Sequence, residues 1–149
     1  MKKLILFLFV ASLSFVMAGC SGSGKQSADD SQPDSVLTAC AKAYNSRLPK
    51  EDGVFVLEKC EYDGKAVTIS MRTTKSEYDI TDPENMKWLP AMKLNEICTL
   101  DKKMIARLVQ LNQPLQYAVY TDKEQKPYKT FALTAHAMKG RAASYGMLK

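Results

Sequence analysis

Four cysteines and a single histidine are the side chains of this chain that could carry out covalent or metal chemistry. A thiol nucleophile needs a neighbouring base and a third group that orients the base. No such signature surrounds any of the cysteines, and His136 stands between two alanines after a predicted strand. The chain also contains no CxxC or HxxxH spacing of the kind that ligates zinc. We therefore expect no catalytic residue, no cofactor and no metal site, and the sequence favours a role other than catalysis.

The first twenty residues have the pattern of an export signal. Two lysines precede an uncharged run from Leu4 to Ala18, which is shorter than the roughly 20 apolar residues of a membrane-spanning helix. The run ends in Met17-Ala18-Gly19-Cys20, in which small residues precede a cysteine. This ending resembles the lipobox of bacterial lipoproteins. The alternative is an ordinary secretory cleavage after Ala18, which would leave Cys20 as a plain thiol.

The resemblance implies a cleaved and acylated protein. In lipoproteins the cysteine, here Cys20, carries a diacylglyceryl thioether, and acyl chains such as palmitate anchor the protein, each buried methylene adding about 0.8 kcal/mol. We expect residues 1–19 to be a signal peptide, residues 20–34 a lipidated flexible tether, and residues 35–149 a single domain. Ser21 does not match the aspartate that commonly retains lipoproteins at the inner membrane. The resemblance therefore implies the outer membrane, on its periplasmic or surface side, where the bacterium has one.

The charge of the chain limits its partners. The formal net charge of +5 falls by two, to +3, when the lysines of the signal are removed. No run of five or more basic residues occurs, and an exported protein does not meet cellular nucleic acid. We therefore expect no nucleic-acid partner. Basic side chains concentrate in residues 85–149, where they could attract an acidic partner or an anionic membrane surface, or could simply solvate the protein.

Hydrophobic periodicity predicts helices and two hairpins. A first helix should begin near Ser35, with Ser35 as its N-cap, and a second helical segment should start within residues 81–84. A third should start at Asp101, a candidate cap, and a last helix should cover residues 135–148. Asp63-Gly64 separates two alternating runs and predicts a two-residue hairpin loop, in which Cys60 would face Val67. The face of this hairpin that should be core carries Val56, Cys60, Val67, Ile69 and Met71. Residues 115–120 and 128–134 alternate in the same way and predict a second hairpin.

The order α-ββ-α-ββ-α follows from these segments. Two half-buried hairpins need helices to cover them, so the sequence predicts an α+β domain. Its sheet should be mainly antiparallel and four-stranded, with the helices packed on one face.

Lipidation of Cys20 leaves three cysteines in the domain. Because export places them in an oxidising compartment, we expect one disulfide and one buried thiol. Cys40 lies on the apolar face of the first predicted helix and Cys60 on the core face of a predicted strand, which favours a bond between these two. A bond between Cys60 and Cys98 is the alternative, and three reduced, buried cysteines are a third hypothesis.

Aromatic and basic side chains that point outward from the second hairpin form the candidate binding surface. They are Tyr120, Lys126, Tyr128 and Lys129, and Trp88 could join them. Tyrosines and tryptophans are enriched at protein interfaces. The alternative is that the aromatic side chains are packed in the core, as large aromatics usually are.

Two classes of function remain. The favoured one is a lipid-anchored binding or assembly module of the bacterial cell envelope. Its partners would be a membrane, through Cys20, and an envelope protein or peptidoglycan. The alternatives are a small envelope enzyme, thiol-dependent or hydrolytic, that uses Cys98 and His136, and an inhibitor or adaptor of another exported protein.

Overall fold

Five strands and five α-helices make up the part of the chain that the structure describes. The computed structural model describes residues 33–73, 80–122 and 124–148, so the predicted signal peptide, the lipidation site Cys20 and most of the predicted tether lie outside the described residues. In chain order the elements are α1 (Ser35–Asn45), β1 (Lys50–Asp52), β2 (Phe55–Tyr62), β3 (Val67–Thr73), α2 (Pro83–Lys87), α3 (Leu89–Asn95), a 3₁₀ turn (Glu96–Thr99), α4 (Lys102–Gln110), β4 (Leu115–Tyr120), β5 (Lys129–Leu133) and α5 (Ala135–Ser144). None of the helices in these ranges is long and apolar enough to span a bilayer.

The five strands form one sheet in the order β1-β2-β3-β4-β5. Neighbouring strands are antiparallel except for β3 and β4, which are parallel. A parallel pair needs a long crossover, and α2, α3 and α4 supply it. The α+β class and both hairpins are confirmed, whereas the expected four-stranded sheet is wrong by one strand. The additional strand, β1, has the sequence Lys-Glu-Asp, and a short charged strand of this kind is suited to the edge of a sheet.

The first hairpin has a different register from the predicted one. Cys60 is opposite Ile69, not Val67, because the loop contains four residues, 63–66. The Asp63 carboxylate accepts the backbone N–H groups of Lys65 and Ala66 at 2.8 Å, which closes this longer loop. A register shift between Leu57 and Lys59 then reverses the alternation of β2. As a result Phe55 and Leu57 are buried and Val56, a predicted core residue, is half-exposed.

Acidic side chains and a threonine fix the starts of the helices by accepting backbone N–H donors of the first turn. Asp34 caps α1, so the predicted cap at Ser35 is wrong by one residue. Asp101 caps α4, as predicted, and Asp82 caps α2 within the predicted helix start. Thr134 caps α5 at the end of the second hairpin.

One face of the sheet builds the core with the helices. Alternate residues of β3 (Val67, Ile69, Met71) are buried, and the residues between them are partly exposed. Helix α1 packs on β2, and α4 packs on α1 and α5. Large buried side chains of the helical layer and the sheet meet there, among them Leu37, Leu89, Ile97, Met104, Ile105, Leu108, Leu115 and Met138.

Asn45, the last residue of α1, fastens this helix to β2. Its side-chain amide donates to the carbonyl oxygen of Cys60 at 2.6 Å, and its oxygen accepts the Cys60 N–H at 2.8 Å. The ladder between β1 and β2 covers only Phe55 to Leu57, so it does not reach Cys60. The asparagine therefore satisfies two backbone groups beyond the end of the edge strand.

Candidate functional site

Lys93 is the one charged residue in the described part of the chain that is almost fully buried, with 2% of its surface exposed. Its ammonium group donates to Oδ2 of Asp52 and, at 2.9 Å, to Oε2 of Glu96. Removing an ammonium ion from water costs several kcal/mol, and carboxylate partners offset that cost. We refer to Lys93, Asp52 and Glu96 as the charged triad.

Three different elements position the charged triad. Asp52 is the last residue of β1 and precedes Gly53, whose φ of +64° is easily adopted by glycine. Lys93 lies in α3, and Glu96 follows three residues later in the 3₁₀ turn, on the same side. The Lys93 nitrogen also lies 6.0 Å from the centre of the Phe55 ring, within range of a cation–π attraction.

The charged triad lines two cavities. The first, the polar cavity, has a volume of about 80 Å³ and combines the triad with two tyrosines and two further cations. Its lining residues are Tyr44, Arg47, Leu48, Lys50, Asp52, Leu57, Lys93, Glu96, Thr99, Leu100 and Tyr117. The second, the Trp88 cleft, has a volume of about 210 Å³ and is lined by Asp52, Gly53, Val54, Phe55, Trp88, Met92, Lys93 and Glu96.

The two tyrosines of the polar cavity remain protonated at ordinary pH. Burial, helped by the neighbouring Cys60 and Asp52, raises the pKa of Tyr44 to about 12. Burial raises the pKa of Tyr117 as well, and the nearby Tyr44 and Glu96 add to the shift. Both hydroxyl groups can therefore act as hydrogen-bond donors as well as acceptors.

The Trp88 cleft combines apolar walls with a negative end. Trp88 stands at the junction of α2 and α3 and is 43% exposed, which is unusual for a large aromatic side chain. The side chains of Asp52 and Glu96 are 33% and 39% exposed, so both carboxylates remain partly in contact with solvent. Two carboxylates against one ammonium ion leave one negative charge in excess among the residues of the cleft.

Tyr120 lies in a different place from Trp88. It lines an open groove on the sheet together with Glu58, Ser70 and Arg72. The Arg72 guanidinium group lies 5.1 Å from the centre of the Tyr120 ring, and its Nε donates to Glu58 at 2.8 Å. Tyr120 is therefore held within the protein's own polar network.

The remaining residues of the predicted surface are exposed but line none of the three cavities described above. Tyr128 is 43% exposed, and its hydroxyl group donates to the carbonyl oxygen of Thr81 at 3.4 Å. Lys126 and Lys129 are exposed as well. The structure thus places Trp88 in a cleft, Tyr120 in a groove and the other three on open surface, and their role in binding stays a prediction.

The three cysteines of the domain are free thiols in the structure. The expected disulfide between Cys40 and Cys60, and the alternative between Cys60 and Cys98, are therefore not supported. Cys60 is buried and Cys40 half-buried, but Cys98 is exposed. Burial raises the pKa of Cys60 to about 12, with smaller contributions from Glu61 and Cys40, so this thiol remains protonated.

The candidate metal ligands of the described residues do not form a ligand cluster, and the single histidine lies at the surface. No group of three acidic, cysteine or histidine side chains that could hold a metal ion occurs in residues 33–73, 80–122 and 124–148. His136 is exposed in the first turn of α5.

The charged triad is the feature that the sequence analysis missed. Leu89, Lys93 and Ile97 are spaced four residues apart and all three are buried. A lysine within such an apolar stripe is a signal that the sequence does contain, because buried lysines are rare unless they are paired. Its partner Asp52 is 41 residues away in the chain, in a strand without apolar residues.

Comparisons with known proteins identify a similar fold only. A comparison with protein-family models found no match, and neither did a comparison with curated protein sequences. Among solved structures, the chain is similar to PA3611 of Pseudomonas aeruginosa, which carries a provisional description as a secreted protein. The TM-score is 0.56 at 14% sequence identity, and the match covers 68% of this chain and 88% of that chain. At this identity the likeness shows the fold and not the function.

Proposed function

We propose that this protein is a lipid-anchored binding module of the bacterial cell envelope and that it docks an envelope protein at the Trp88 cleft. The observation that carries the proposal is the cleft itself, in which an exposed tryptophan and apolar walls meet a negative end. Exposed tryptophans in pockets are typical anchor points of protein interfaces.

Export and anchoring rest on the N-terminal pattern. Residues 1–19 have the features of a cleaved signal, and Cys20 stands where a lipoprotein carries its acyl chains. The provisional description of the P. aeruginosa protein as secreted is consistent with export. With Ser21 after the cysteine, the proposal places the anchor in the outer membrane of a Gram-negative bacterium.

The mass of the intact protein tests the anchor. Protein purified from membranes of its native host should begin at Cys20 and carry the added mass of acyl chains. An unlipidated chain that begins at Gly19 would show ordinary secretory cleavage and would remove the membrane from the proposal.

Photocrosslinking in the native host tests the docking site. A benzoylphenylalanine in place of Trp88 should form a discrete adduct with one envelope protein, identified by mass spectrometry. Tyr128 and Tyr145 are matched control positions, because they are 43% and 41% exposed but do not line the cleft. The adduct should disappear when Glu96→Lys reverses the charge at the end of the cleft. Equal crosslinking from all three positions, or an adduct that survives Glu96→Lys, would refute docking at this site.

A further inference from the structure

We propose that the Trp88 cleft binds an arginine side chain of the partner protein; this inference rests on the proposed function and specifies what is recognised. The guanidinium group would lie against the Trp88 ring and pair with the carboxylates of Asp52 and Glu96. The aliphatic part of the arginine would contact the apolar walls of the cleft, Val54 and Met92.

The size of the cleft favours one side chain of a larger partner. Sites for drug-sized molecules have volumes of about 300–1,000 Å³, and the Trp88 cleft has about 210 Å³. The cleft is also open enough to leave 43% of Trp88 exposed. A protruding residue of a protein could therefore enter it without any change in the backbone of this domain.

The charge of the cleft favours a cation. Lys93 uses one oxygen of each carboxylate, Oδ2 of Asp52 and Oε2 of Glu96. An ionised carboxylate has about four acceptor sites on its two oxygens, so each of them can accept further hydrogen bonds. The triad keeps a net charge of −1, and both carboxylates are partly exposed. An incoming cation would bring the three charges of the triad to neutrality, whereas an acidic side chain would meet two carboxylates; the cations Arg47 and Lys50 line the neighbouring polar cavity and not the Trp88 cleft.

The combination of an aromatic ring with two carboxylates favours arginine over lysine. The guanidinium group is planar, stacks on aromatic faces and donates to carboxylates through a fork of N–H groups. Tryptophan is the best aromatic partner for a cation. The ammonium of lysine is more strongly hydrated and acts as a point charge, so it would gain less from the ring.

Lys93 holds the carboxylates in place before the partner arrives. Its nitrogen bridges Asp52 on the sheet edge and Glu96 in the 3₁₀ turn, which are 44 positions apart in the sequence. Because Lys93 is buried, it keeps this position, and both carboxylates, which line the cleft, retain exposed surface. Binding groups that are fixed in advance lose less conformational entropy on binding.

The single tryptophan of the chain provides a direct measurement. The full-length protein in a non-ionic detergent would be titrated with the peptide acetyl-Leu-Arg-Leu-amide while the fluorescence of Trp88 is recorded. The matched probe contains citrulline, which has nearly the same shape as arginine and no charge. We expect a saturable change with the arginine peptide and about tenfold weaker half-saturation with the citrulline peptide.

Two variants test whether the arginine peptide binds at the carboxylates of the Trp88 cleft. Glu96→Gln retains the size of the side chain and the pairing of Lys93 with Asp52, and it should weaken binding of the arginine peptide several-fold. Glu51→Gln removes an exposed carboxylate of the same strand β1 that does not line the cleft, and it should have no effect. Far-UV circular dichroism would establish that both variants are folded.

Several outcomes would overturn the inference. The first is equal binding of the arginine and citrulline peptides, and the second is tighter binding of an acidic peptide. The third is a change in Trp88 fluorescence with lipid vesicles or peptidoglycan fragments but not with the arginine peptide. A specific adduct from Trp88 in cells, combined with equal binding of the two peptides, would reject arginine and retain the docking site. Discrimination between the peptides without any cellular adduct would support the recognition chemistry and reject the proposed function.

Discussion

Replacement of Lys93 by methionine separates the contribution of the charged triad to stability from its contribution to binding. The side chain is 2% exposed, so the ammonium has lost nearly all of its hydration. Asp52 and Glu96 are 33% and 39% exposed and would regain water if the ammonium were absent. Methionine has a similar length and would pack in the apolar stripe of α3. We therefore expect Lys93→Met to change the free energy of unfolding by less than about 1 kcal/mol.

Removal of both carboxylate charges should destabilise the protein far more than removal of the ammonium. Asp52→Asn combined with Glu96→Gln leaves the buried ammonium without a carboxylate, and removal of the partners of a buried charge costs about 3–5 kcal/mol. Such a loss is a large fraction of the about 5–15 kcal/mol that stabilises an ordinary domain. With a urea m value near 2 kcal/mol per molar, the midpoint should fall by roughly 2 M.

Urea unfolding followed by far-UV circular dichroism at neutral pH measures both changes. Lys139→Met is the matched control, because Lys139 is an exposed lysine of α5, and it should alter stability by less than about 0.5 kcal/mol. If Lys93→Met destabilised the protein as much as the double variant does, the attraction within the triad would exceed the cost of burying the ammonium. Lys93 would then stabilise the folded domain, contrary to this prediction.

Two substitutions and one chemical modification test other parts of the structure. Asp34→Ala should cost about 1 kcal/mol through loss of the α1 cap. Since the hydrogen bond from Arg107 holds the pKa of the Asp34 carboxyl below its usual value, the wild-type advantage in thermal unfolding should be complete above about pH 4 and fade as the pH falls through that lowered pKa. Asn45→Ala should cost about 1–3 kcal/mol in urea unfolding, because it strips both backbone groups of Cys60 of their partner; a loss under about 0.5 kcal/mol would contradict this role. Iodoacetamide should modify exposed Cys98 first and leave Cys60 protected until the domain unfolds, as read by peptide mapping; equal rates would contradict the burial of Cys60.

The sequence predicted the starts of α2 and α4 and the second hairpin because residues close together in the chain determine them. Asp82 and Asp101 cap helices because a carboxylate before a helical run satisfies the first N–H groups, whatever lies elsewhere in the chain. The second hairpin was predicted from the alternation of apolar and polar residues, and no bulge interrupts the pairing of its two strands. The rings of Tyr117 and Phe131 stack with their centres 5.3 Å apart. The edge strand β1 escaped prediction because its three polar residues carry no periodic signal.

In the first hairpin, a difference of two residues in the loop changes the register of the whole strand pair. Asp-Gly favours a two-residue loop, but the Asp63 carboxylate captures two N–H groups and stabilises a four-residue loop instead. Pairing shifts, and a bulge near Glu58 restores the burial of Cys60 while turning Val56 outward. The candidate site was harder still to predict, because its contacts join residues far apart in the chain, and periodicity describes only neighbours.

A buried lysine that contributes little to the stability of the free domain gains a role when a partner arrives. In the free protein the carboxylates of Asp52 and Glu96 are partly exposed and remain hydrated. This hydration lowers the free-energy cost of the net charge of −1 on the triad. A docked guanidinium would complete a neutral cluster of two cations and two anions and would remove water from it. Charge pairs attract more strongly as the local dielectric constant falls, and the hydrogen bonds of the guanidinium fork would offset the cost of removing water from the cluster. By this argument Lys93 contributes to recognition more than to folding, and this is the difference that Lys93→Met and the arginine and citrulline peptides would measure.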